Sequence, residues 1–215
     1  MKTAPKHNNK GSPPIESPCA IGFRAHSGWS ALVILAGPLR APVVIERTRI
    51  ELIDPAIAGS KQPFHRAREL GLKAGAKHVE RCTEKAKELA EQSVRGAVRF
   101  SLEKGHRVAA AGIILGSGRP LPDFESILAS HPLLHTAEGQ LFRDVLADAA
   151  QRCGLPITGV KERELFEQAE AWLRLPASQL QDRLNAMGKI VGSPWRQDEK
   201  YSALVAWMAL ADASR

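Results

Sequence analysis

Three short apolar runs, rich in β-forming residues, follow one another near the start of the chain with only tight turns between them. CAIGFRA begins at Cys19, WSALVILAG runs from Trp29 to Gly37, and APVVIERTRIELID from Ala41 to Asp54. His26-Ser27-Gly28 and Gly37-Pro38 supply the turns. The later part of the third run alternates, with Ile45, Arg47, Arg49 and Glu51 set between other types, as a half-exposed strand does. Strands joined by such short links pair as an antiparallel meander.

The pattern then changes period. Residues 55–71 carry Pro55, Gly59, Pro63 and Gly71 and read as a long loop. From Leu72 to Lys104, Ala76, Val79, Ala86, Leu89, Ala90, Val94, Ala97 and Val98 recur at helical spacing, with Glu80, Arg81, Glu84, Lys85, Lys87 and Glu88 opposite. Gly105 ends this helix in the usual C-terminal position. RVAAAGIILGSG, Arg107 to Gly118, is a continuous apolar run and predicts a buried central strand. A short helix is expected at Phe124–Ala129. Thr136 then caps a helix reaching Arg152, and LPITGV is a fifth strand. Helical segments over 161–174, 177–190 and 198–212 close the chain. Strands in succession, then strands alternating with helices, imply an α/β domain with a mixed sheet covered by helices.

The length, 215 residues, suits one domain over 19–215. Residues 1–18, MKTAPKHNNKGSPPIESP, lack an apolar segment and read as a disordered tail, neither signal peptide nor anchor. The absence of an 18-residue apolar stretch gives no reason to expect a membrane partner. Cys19, Cys82 and Cys153 form no C-x-x-C, which excludes a zinc ribbon or a dithiol redox motif and fits idle thiols in the cytoplasm. A net charge of +7 favours polyanionic partners, nucleic acid or another phosphate-bearing ligand, although no basic run concentrates it.

Two stretches carry a family resemblance. IGFRAHSGWSALVIL, 21–35, resembles the first hairpin of the ribonuclease H-like superfamily, and QDEKYSALVAWMALA, 197–211, resembles the closing helix of its predicted nucleases. The resemblance implies the ribonuclease H-like fold, three antiparallel strands and then alternating helices and parallel strands, with extra C-terminal helices. It also implies a nuclease-like scaffold in which an Asp near the end of strand one and an acidic residue of the last helix share two metals. Here Arg24 stands where that first carboxylate belongs. Arginine cannot ligate a metal, so Asp198 or Glu199 at the closing helix stands alone.

Ligands of such sheets sit beyond the carboxyl ends of the parallel strands. That edge would gather Arg24 and His26 with Gly116, Ser117, Gly118 and Arg119, a glycine turn able to bring backbone N–H groups to a phosphate. Arg24, Ser117, Gly118 and Arg119 are the candidate phosphate contacts; a plain turn is the competing reading. His131, His135 and Glu138 are metal or acid/base candidates, completed by His26 or His65, with Asp198 as a residual carboxylate. A divalent metal is the cofactor such a cluster would take. Pro132 lies between the two histidines and predicts that no continuous helix spans them. His65, Arg66 and Arg68 in PFHRAREL could meet phosphate or simply face solvent, and Trp195 reads as a packing anchor. Two functions fit these residues: a nucleic-acid-associated protein, or a divergent metal-dependent phosphodiesterase, on this scaffold; and a non-catalytic binding or assembly module that has lost the nuclease carboxylates.

Overall fold

The computed structural model describes residues 17–116 and 120–215. The expected tail, 1–18, falls outside these residues except for Ser17 and Pro18, which open the first strand. Five strands are present: β1 (Ser17–His26), β2 (Trp29–Ala36), β3 (Val43–Glu51), β4 (His106–Leu115) and β5 (Ile157–Lys161). The helices are α1 (Pro63–Leu70), α2 (Leu72–Glu103), α3 (Phe124–Ala129), α4 (His131–Arg152), α5 (Leu165–Leu173), α6 (Ala177–Val191) and α7 (Gln197–Asp212). The sheet order is β3-β2-β1-β4-β5. β1, β2 and β3 pair antiparallel, while β4 and β5 lie parallel to β1. The strands follow in the expected order, and α1 is a helix beyond those expected.

Alternation along the strands divides the interior in two. Ile21, Phe23, Leu32, Ile34 and Ile113 face a core shared with α2 and α4. Val33, Leu35 and Ile114 face the opposite side, where α7 lies between the sheet and α5 and α6. Residues 202–211 of α7 are buried without interruption, as a helix covered on all sides requires. α7 comes close because Gly22 and Gly112, paired in register on β1 and β4, lack side chains beneath it. A Cβ on Gly22 would stand 1.9 Å from the Ser202 carbonyl oxygen, and one on Gly112 2.3 Å from that of Val205.

Two expectations are corrected. The segment 55–71 is not all loop, since Pro63 opens the eight-residue α1. Phe64 and Ala67 turn inward from that helix, too short a stripe to show a period. Nor does Thr136 begin the fourth helix. α4 starts at His131 with Pro132 in its first turn, where the missing N–H would have had no helical partner. The Thr136 hydroxyl instead donates to the Pro132 carbonyl.

Candidate functional site

The carboxyl ends of β1, β4 and β5 open onto one edge of the sheet, and the candidate residues gather there in two groups on opposite faces. On the α7 face, Arg24 projects from the end of β1. It is paired with Asp198 in the first turn of α7, and its other nitrogen donates to Glu162 just past β5, at 2.9 Å. The Tyr201 ring lies 5.1 Å from the guanidinium carbon. His26 Nε2 meets the same Asp198 oxygen at 2.8 Å, and its ring stacks on Trp29 with centroids 4.3 Å apart. Asp198 is thus held by two nitrogen groups. Arg24 takes the centre of the pair of carboxylates, where a metal would need oxygen ligands.

Beside this cluster is a cleft of about 300 Å³, lined by Arg24, Gly116, Arg143, Lys161, Glu162 and Arg163 among others. Arg143 reaches it from α4. Its guanidinium lies over two glycines, so that a Cβ on Gly116 would stand 2.6 Å from Nη2 and one on Gly139 3.0 Å from Nη1. Burial pushes the Arg143 guanidinium below its ordinary pKa, an effect opposed by neighbouring Asp144. Among the described residues, no hydrogen-bond acceptor holds it. Lys161 and Arg163 both lie near Glu164, at 3.5 and 3.2 Å, and that carboxyl is held below its usual range first by its bond from Arg163. Ser117, Gly118 and Arg119 lie outside the described residues.

On the other face, α4 carries His131, His135 and Glu138 one turn apart along one stripe. His65, from α1, completes the group. Its Nδ1 lies 2.7 Å from Glu138 Oε1, and its backbone N–H donates to the same oxygen at 3.2 Å. His131 Nε2 and His135 Nε2 are 3.2 Å apart. Each of the three imidazoles offers a ligand atom, all within 4.8 Å of one another. Glu138 is fully buried, and its Oε2 has no hydrogen-bond partner among the described residues. His135 Nδ1 lies 4.0 Å from that oxygen.

The structure therefore brings His131, His135 and Glu138 together and sets Arg24 with Asp198, but it separates the two sets. Of the two histidines weighed as a third member, His65 joins the cluster and His26 joins Asp198. His135 and Arg143 are eight residues apart on α4, about 12 Å along its axis. Sequence reasoning missed Arg143 and Glu162. Arg143 sits among the apolar positions of α4 and looks like ordinary helix surface. Only Gly139, one turn earlier, marks the space it uses. Arg66 and Arg68 are on α1, where Arg66 pairs with Glu69 at 2.6 Å. Trp195 packs on Gly188 and donates its indole N–H to the Leu184 carbonyl at 2.7 Å.

No family model and no curated protein sequence matches this chain. Among solved structures it is similar to RuvC of T. thermophilus in complex with Holliday junction substrate, at 9% identity and a TM-score of 0.47, covering 91% of this chain and 94% of that one. RuvC of Thermus thermophilus in a second structure gives 11% identity and a TM-score of 0.47, with 91% and 95% covered. The yeast mitochondrial Holliday junction resolvase gives 11% and 0.42, with 94% and 82% covered. By its own strand order, strand directions and helix layers, the chain has the ribonuclease H-like fold.

Proposed function

We propose that this protein binds nucleic acid through its phosphates at the carboxyl edge of the sheet, and that the strand-one site takes no part in two-metal hydrolysis. The observation that carries the reading is the cleft. Arg24, Arg143, Lys161 and Arg163 line it, and Glu162, which shares it, is already bonded to Arg24. A half-buried guanidinium with no acceptor among the described residues loses hydration without recovering it from them. A phosphate oxygen would restore it through a charge-assisted bond. The absence of a side chain at Gly116 lets the Arg143 guanidinium lie against the backbone at the cleft. The net charge of +7 adds long-range attraction for a polyanion. With Arg24 between Asp198 and Glu162, the carboxylates that would hold divalent metals are neutralised by the protein itself.

The test is fluorescence anisotropy with labelled single- and double-stranded oligonucleotides across a salt series starting near 50 mM. Binding should weaken linearly in log–log form as salt rises. Arg143→Ala should weaken it alike for all sequences and lower the salt slope by about 1. Absence of binding at low salt, or an Arg143→Ala protein that binds as the parent does, overturns the reading.

A further inference from the structure

We propose that His65, His131 and His135 form a mononuclear site for a late first-row divalent cation, zinc by its chemistry, with one coordination position open to solvent. The inference stands apart from the nucleic-acid reading, because it uses none of the cleft residues. Two tetrahedral Zn–N bonds of about 2.0–2.1 Å place their nitrogens roughly 3.3–3.4 Å apart. His131 Nε2 and His135 Nε2 stand at 3.2 Å, each on an exposed ring brought to the same point by i, i+4 spacing on α4. The third ligand atom, from His65, lies within 4.8 Å of both, so closing the triangle takes a shift of roughly 1–2 Å.

Glu138 supplies the second, independent observation. A histidine that binds metal through one ring nitrogen almost always donates the other N–H to a carboxylate or carbonyl. Glu138 Oε1 is bonded to His65 Nδ1, which leaves His65 Nε2 for the metal. Its buried Oε2 is without a partner among the described residues and faces His135 Nδ1 at 4.0 Å. One carboxylate is therefore placed to orient two imidazoles, and a small rotation of His135 would satisfy the orphaned oxygen. A fully buried carboxylate also needs positive charge beside it, and a divalent ion on these three neutral ligands supplies it. Imidazole sets select zinc and its neighbours over magnesium and calcium. His131 and His135 are exposed, so the fourth position faces water, the arrangement of hydrolytic rather than structural zinc centres.

Titration of the chelator-treated full-length protein with Zn²⁺, against a chromophoric competitor, tests the site. One ion should bind per chain and Mg²⁺ should not compete. His131→Ala and His135→Ala, both at exposed positions, should each weaken Zn²⁺ binding by about 100-fold or more while melting temperature in chelator stays unchanged. Glu138→Gln should weaken it by about 10–100-fold. Loading with Co²⁺ should give the intense visible bands of a four-coordinate ion, and azide should shift them in the wild-type chain. Failure to bind Zn²⁺, or binding that survives His135→Ala, overturns the site. A cobalt spectrum indifferent to azide overturns its open position.

Discussion

At the scale of single residues, Arg24 decides what the strand-end site can be. Its side chain is 14% exposed and its charge is met by Asp198 and Glu162. Replacing it with methionine leaves those two carboxylates facing each other without a cation. Arg24→Met should lower unfolding free energy by about 1–3 kcal/mol, the range for losing hydrogen bonds to charged groups, discounted because Glu162 is half in water. Denaturant unfolding at neutral pH measures this. A loss under about 0.5 kcal/mol would mean that the ion pairs are solvated and that Arg24 is free to meet a ligand. The arginine and its departure from the family pattern were legible in the sequence. Its partner Glu162 was not, because 138 residues separate the two and only the β5 edge brings them together.

Among the elements, α7 and α4 behave differently. α7 is the Ala/Leu-rich closing helix, and the structure buries it on the two glycines of β1 and β4. Gly22→Ala or Gly112→Ala would push a methyl group into helix backbone, which cannot rotate aside as a side chain does. Each should cost about 3 kcal/mol or more, read as a lower denaturant midpoint with unchanged slope. A cost below about 1 kcal/mol would show that α7 slides to make room. In α4, the i, i+4 histidines and Glu138 were visible as a cluster, and Pro132 argued against their sharing a helix. The proline was read as a breaker because its place in the first turn depends on where the helix begins, which Ser130 and the preceding α3 decide.

Across the whole molecule, the cleft and the histidine cluster share one sheet edge, and Arg143 stands about 12 Å from His135 along α4. They should therefore fail separately. Arg143→Ala should reduce oligonucleotide binding and leave Zn²⁺ affinity within about 2-fold, and His135→Ala should do the reverse, since sites beyond about 10 Å without shared partners act additively. Paired anisotropy and zinc titrations on both variants check this. A variant that loses both would mean one continuous site reaching across the α4 helix.

The sequence by itself determined the strand succession, the long helix, the buried central strand and the closing helices. Those signals are local: period, glycine and proline punctuation, and apolar runs act within one element. It also marked Arg24, His131, His135 and Glu138 as unusual. Only the tertiary structure decided which of them meet. α1 delivers His65 to Glu138, α7 delivers Asp198 to Arg24, and Gly116 and Gly139 make room for Arg143. Each of these contacts joins elements far apart in the chain, and the packing of helices on a twisted sheet, not the spacing of residues along it, sets their distance.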